Sequence, residues 1–176
     1  MRKMLYILGE LQDSDLQWLF DAGHSQRVAS GATLIREGVP LSELFIVVEG
    51  MLSVSKGTRE LARLGAGEVV GEMSMLDSHK PSATVRSEQE SLVYAIPQER
   101  LRTKLRADPG FSARFHRALC LFLAHRLART DALVALAAAP EERDDEIAPE
   151  MLDSVVLAGA RFEWFLQRAR RAAQAK

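Results

Sequence analysis

Glu43-Leu44-Phe45-Ile46-Val47-Val48-Glu49-Gly50 sets five apolar residues in a row between two acids. Side chains alternate between the two faces of a strand, so a run that is apolar at every position fills both sides of the pleat. Such a strand belongs in the middle of a sheet. The glycines gather around this run: seven of the eleven lie between Gly31 and Gly71. The segments between them are short and rich in Val, Ile, Leu and Phe, which predicts an all-β barrel or sandwich core. The pattern places strands at Gln26–Val28, Ala32–Ile35, Glu43–Glu49, Leu52–Ser55, Glu60–Leu64, Ser82–Ser87 and Leu92–Ile96, with a hairpin turn at Lys56-Gly57.

Helical segments flank the strands. In Gln12–Gly23, Asp13 or Ser14 is a candidate cap, Ser14 with Gln17 fits a capping box, and Leu16, Leu19 and Phe20 form one face. A second helix follows Pro97 and runs to about Ala107. Asp108-Pro109 then restarts a helix that meets no strong breaker until about Ala137. Its apolar residues form two adjoining series. One is Phe115, Leu119, Phe122, Leu133 and Leu136, interrupted by Arg126 and Arg129; the other is Leu123, Leu127, Thr130, Val134 and Ala137. One face packs on the body, and the second predicts a homodimer through this long helix. An acidic connection, Glu141–Asp153, leads to a last helix from Pro149 to about Ala173. Gly159 interrupts its stripe, either weakening the helix or admitting a close backbone. The basic end (Arg161, Arg168, Arg170, Arg171 and Lys176 against Glu163) complements the helix dipole or meets an acidic protein partner. The expected division is residues 1–137, with the long helix, and residues 138–176.

Composition limits the function classes. Of 176 residues, 47% are hydrophobic and 27% charged, a globular balance. With 23 basic and 24 acidic residues the formal net charge is −1, so no whole-protein field draws the chain to nucleic acid or an anionic membrane. Met4–Leu8 is too short for a signal-peptide core and no apolar run reaches a membrane span, which predicts a cytoplasmic protein. Cys120 is the only cysteine; its apolar run, Ala118–Leu123, predicts a buried, inert thiol. His116 and His125 lie nine apart on one helix, unlike a zinc-binding pair, so no metal site is expected. No nucleophile elbow, zinc-protease or P-loop motif occurs, so the chain is not expected to be an enzyme.

The chemistry concentrates in Gly67-Glu68-Val69-Val70-Gly71-Glu72-Met73-Ser74-Met75-Leu76 and in Pro81-Ser82-Ala83-Thr84-Val85. Gly71 lets the backbone approach a ligand, and Glu72–Asp77 opens a short helix whose first amides suit a phosphate. Glu72 suits sugar hydroxyls better than phosphate, and Ser82 adds a hydroxyl and an N–H. A purely structural role fits as well, with Glu72 complementing the helix dipole and Gly71 making a tight turn. Spacing alone does not separate the two.

From about Leu16 to Val134 the chain resembles the cyclic nucleotide-binding domain of the bacterial catabolite activator/FNR family and of eukaryotic kinase regulatory subunits. The likeness rests on Ile35-Arg36-Glu37-Gly38, Leu44–Gly50, Gly71-Glu72 and Ser82-Ala83-Thr84-Val85. It implies an α+β, mainly β fold: a double-stranded β-roll (jelly roll) flanked by an N-terminal helix and long C-terminal helices. The resemblance implies cAMP, cGMP or a related anionic ligand, and no further cofactor. Gly71, Glu72, Met73 and Ser74 would line the cyclic phosphate, with Glu72 on the ribose 2′-hydroxyl. Ser82 and Ala83 would approach the phosphate, and Thr130 the adenine, with Asp131 in place of the usual following serine. One position departs from the family. The arginine that precedes the two small residues and pairs with the phosphate is here Pro81, which has neither charge nor donor. Lys80 beside it offers a point charge without the fork. Pro140–Lys176 is too short for the winged helix-turn-helix of the family's transcription factors, so sequence-specific DNA reading is not expected. An interaction module with a degenerate pocket is the alternative reading, and a DNA-associated regulator a minor one.

Overall fold

The computed structural model describes residues 9–77, 80–135 and 152–174. Helix α1 (Asp13–Ala22) leads into β1 (His24–Val28), β2 (Thr33–Ile35), β3 (Glu43–Glu49), β4 (Leu52–Lys56), β5 (Arg59–Leu64) and β6 (Val69–Val70). After α2 (Glu72–Asp77) come β7 (Thr84–Ser87) and β8 (Ser91–Pro97), then α3 (Gln98–Ala107), α4 (Pro109–Ala135) and α5 (Leu152–Gln174). The strands form two four-stranded sheets, β1-β8-β3-β6 and β2-β7-β4-β5, with antiparallel pairing. The mainly β roll with flanking helices agrees with the expected fold. The strand that the sequence leaves unassigned is β6, whose two residues are too few to show a period.

The alternation along β3 explains its uninterrupted apolar run. Phe45 and Val47 face the interior of the roll with Val28, Leu52, Val70, Val85, Val93 and Ala95. Leu44, Ile46 and Val48 face outward into a second core with Leu92, Tyr94 and Ile96 of β8, roofed by helices. Both sets are buried, and β3 lies between β8 and β6, with Phe45 opposite Ala95 on one side and Val70 on the other. At the end of β3, Gly50 has φ 95° and its missing Cβ would fall 2.7 Å from the Ser91 Cα.

Capping of α1 differs from expectation. Gln12, rather than Asp13 or Ser14, stands at the N-cap. The backbone N–H of Gln12 donates to Asp15 Oδ2 at 2.9 Å, so Asp15 takes the return role expected of Gln17. The reason is tertiary: Asp15, 3% exposed, also accepts Arg114 Nε at 2.7 Å and Nη2 at 2.9 Å, which ties α1 to α4. Burial alone raises the Asp15 pKa, but the bonds from Arg114 and Gln12 outweigh it and hold the pKa below the ordinary 3.8. A depressed carboxyl contributes stability above its unfolded value and loses it as pH falls through the lower folded value. Arg114→Met should therefore cost about 2–3 kcal/mol at pH 7 and progressively less below the ordinary aspartate range, as urea unfolding at several pH values would show.

Asp108 alone separates α3 from α4 and caps the second, accepting from Phe111 N at 2.9 Å while Lys104 Nζ lies 2.8 Å from its other oxygen. Phe111, Phe115, Ala118, Leu119 and Phe122 bury one face of α4. Cys120 is exposed, against the expectation of a buried thiol. The apolar run Ala118–Leu123 wraps more than a full turn, so part of it must face outward. Leu121 and Leu127 also face outward, Leu127 at 62% exposure. Leu136, Ala137, the start of the last helix at Pro149 and nearly all of the acidic connection lie outside the described residues.

Helix α5 folds back over β1, β3 and α1. Ala158, Phe162, Phe165, Leu166 and Ala169 are buried in the outer core. Ser25 Oγ donates to the Ala169 carbonyl at 2.7 Å. Arg168 donates to Gln17 Oε1 at 2.7 Å and lies 4.5 Å from the Phe20 ring centroid. Arg161 reaches Asp13 and the Leu11 carbonyl, and Arg170 reaches Glu49. These three arginines fasten the helix to α1 and to the end of β3. Among the described residues nothing lies within 4 Å of the missing Cβ of Gly159, so none of them makes the close backbone approach there.

Candidate functional site

The cassette leaves the sheet at β6. Gly67 N and Glu68 O bond Val47 across the sheet, each at 2.9 Å, which anchors its entry. Gly71 has φ 90°, and a Cβ there would come 2.7 Å from Leu41 Cδ2 and 2.9 Å from the Glu43 carbonyl oxygen, so only glycine fits this turn. Gln98, itself buried, donates from Nε2 to the carbonyls of Glu43 at 3.3 Å and Gly71 at 3.4 Å. Arg102 Nη2 reaches Gln98 Oε1 at 3.2 Å and the Ser74 carbonyl at 3.4 Å. Helix α3 thus braces the cassette backbone.

Helix α2 turns Met75 into the outer core and leaves Met73 and Leu76 exposed. Glu72 and Ser74 are buried. The Glu72 carboxylate meets Arg126 of α4, with Nη1 2.6 Å from Oε1. Burial raises the Glu72 pKa above its ordinary value; the Arg126 charge and a backbone hydrogen bond oppose the rise, and the Glu68 charge adds to it. A buried acid that folding makes harder to ionise is a cost to the fold, of the kind found where an acceptor is kept for a ligand.

The predicted residues divide clearly. Gly71, Glu72, Met73 and Ser74 are contiguous on the cassette, with Met73 pointing outward. Lys80 and Ser82 are exposed, and Ala83 packs partly against the interior core. Residues 81–84 are held by the turn after β2, where Gly38 N donates to the Pro81 carbonyl at 2.9 Å and Glu37 N to Thr84 Oγ1 at 3.1 Å. Thr130 lies within α4, and its side chain is outside the described residues. The sequence reading missed Arg126 and the Gln98–Arg102 brace. A signal for Arg126 was present: it interrupts the series Phe115, Leu119, Phe122, and a cation beside a buried stripe calls for a buried counter-charge. Among the described residues, no cluster of His, Cys, Asp or Glu has metal-holding geometry.

Residues 25–108 match the model of the family described as "Cyclic nucleotide-binding domain". This part of the chain belongs to that family. The cyclic nucleotide-binding domain here is 34% identical over 83 residues to the cGMP-dependent protein kinase of Eimeria tenella, covering 47% of this chain and 8% of that protein. It is 28% identical over 124 residues to the cAMP-activated global transcriptional regulator CRP of Haemophilus influenzae, covering 67% of this chain and 52% of the regulator. The chain therefore spans only part of each of these curated relatives. The crystal structure of a cyclic nucleotide-binding domain from Methylobacillus flagellatus superposes with a TM-score of 0.68 at 20% identity, covering 81% of this chain and 86% of that one. At that identity it shows the fold alone. Among the described residues no helix is long and apolar enough to cross a membrane.

Proposed function

We propose that this chain is a non-enzymatic, cytoplasmic sensor that binds cAMP or cGMP at the Gly71–Ser74 cassette and signals through a dimer formed along α4. The observation that carries the reading is Glu72, 2% exposed on the cassette and bonded to Arg126 of the long helix. A carboxylate accepts from the ribose hydroxyls, and its bond to α4 connects ligand occupancy to helix position. The exposed Leu121 and Leu127 support a second copy on the outer face of α4. A ligand shifts that helix only by its differential affinity for two arrangements.

Thermal unfolding with cAMP and with cGMP at millimolar concentration tests the ligand. At about 100 times the dissociation constant, binding adds roughly 2.7 kcal/mol, which is a rise in Tm of about 5–10 °C at this size. No rise with either nucleotide overturns the reading. Pro81, which contributes neither charge nor N–H at the return segment, favours a second reading: an interaction module with a degenerate pocket. A flat melt together with a stable complex on a protein partner that is lost without residues 141–176 would support it.

A further inference from the structure

Two outward residues of α4, His116 and Cys120, have no part in the cassette, and both are exposed. They stand four apart, just over one turn, so they leave the same face of the helix with a rise of about 6 Å between them. That is the spacing at which one helix offers two ligands to a metal ion. His116 Nδ1 lies 2.8 Å from the Ser112 carbonyl oxygen and 3.2 Å from Ser112 Oγ. A carbonyl only accepts, so Nδ1 carries the proton and donates it, which leaves the lone pair on Nε2. A ring N–H given to a backbone carbonyl is also what orients metal-binding imidazoles. The cation between the two residues, Arg117, is already balanced, with its Nε 2.8 Å from Glu10 Oε2.

Two ligands do not make a structural metal site, which takes four. The missing pair is available from a second copy. His116, Cys120, Leu123 and Leu127 are spaced four, three and four apart, and in the sequence the alternation continues to Thr130 and Val134. A repeat averaging 3.5 residues is the seam of a two-stranded coiled coil. Leu123 is half-buried at the edge of the outer core, and Leu127 is 62% exposed. In a parallel pair each seam residue faces its own counterpart, so both copies bring His116 and Cys120 to one level. We infer that His116 and Cys120 of two copies form one tetrahedral zinc site across the α4 seam. Two imidazole nitrogens and two thiolates are a donor set that suits zinc, and the thiolates neutralise the dication. Each cysteine gives up its proton as the metal binds. The inference rests on the α4 dimer proposed above and not on its nucleotide.

Zinc chloride titrated into the metal-stripped, untagged full chain under a phosphine reductant tests this. Sedimentation velocity reads the oligomer, and cobalt substitution reads the ligands. One zinc per two chains is expected, and cobalt should show a thiolate charge-transfer band with the strong visible bands of a tetrahedral ion. Cys120→Ser and His116→Gln should each weaken zinc by more than about 100-fold, beyond the cost of losing an outer partner. Both positions are exposed, so without zinc both variants should melt as the wild type does. Leu127→Glu should separate the copies and abolish tight zinc binding while leaving every ligand in place. A dimer that takes up no zinc, or that binds it equally well as Cys120→Ser, overturns the inference and leaves the α4 dimer standing. Zinc held one per chain by a monomer overturns the inference and the dimer together, as does a chain that stays monomeric and binds none.

Discussion

Replacing Phe165 with alanine should lower the stability of the whole protein by about 3–5 kcal/mol, a drop in Tm of roughly 6–20 °C. Phe165 is 1% exposed, and its ring meets Tyr94 of β8 at 5.1 Å and Phe20 of α1 at 6.0 Å between centroids, both edge-on. Truncation leaves a cavity that rigid strands on one side and a helix on the other cannot close. Tyr94 is held besides, since its hydroxyl donates to the Phe20 carbonyl. The contrast lies in the open groove between the same helix and α1, lined by Leu16 and Leu157. Leu157 is 50% exposed, and Leu157→Ala should cost about 1 kcal/mol or less. Urea unfolding of both variants checks the pair of values. If Phe165→Ala lost no more than Leu157→Ala, α5 would be an appendage rather than part of the outer core.

Glu72→Gln should show opposite signs in two measurements. A carboxyl whose pKa is raised by folding holds its proton better in the folded chain than in the unfolded one. Its contribution to stability is therefore fully present below the ordinary value of 4.5 and is lost as pH rises through the folded value. At pH 7 the ionised, buried form is a cost, so the glutamine variant should be as stable as the wild type or more so, with a flatter pH dependence above pH 4.5. Arg126, one-third exposed, is left close enough to water to be solvated. On the proposed reading, affinity for cAMP or cGMP should fall about 10- to 100-fold, because a neutral amide would replace the charged acceptor proposed for the sugar hydroxyls. Stability gained with binding lost would mark Glu72 as kept for its ligand. A variant that lost stability at pH 7 and kept its affinity would return Glu72 to a structural role.

Much of the architecture was legible in the residues because it is written at short range. The run Leu44–Val48 declared a central strand, since only burial on both faces tolerates five apolar residues in succession. Asp108-Pro109 declared the restart of a helix, and the capping carboxylate is found there. The Gly71-Glu72 step marked the cassette, because a turn with positive φ against the Glu43 carbonyl admits only glycine. Local chemistry of this kind does not depend on which distant element arrives.

Distant partners decided the rest. Asp15 became the return partner of the α1 cap because Arg114, 99 positions away, compensates its burial. Cys120 faces outward because helical phase, not the apolarity of its neighbours, sets its side of α4. Three arginines of α5, ambiguous in sequence between a dipole complement and a partner patch, meet Asp13 and Gln17 of α1 and Glu49 of β3. Arg126 read as an interruption in a stripe until the fold brought it to Glu72. The sequence by itself determined seven of the eight strands, the Asp108 cap and the tight turn at Gly71, through periodicity and backbone sterics. Only the tertiary structure decided which charges meet, because an ion pair across 54 positions depends on the path of the chain between them.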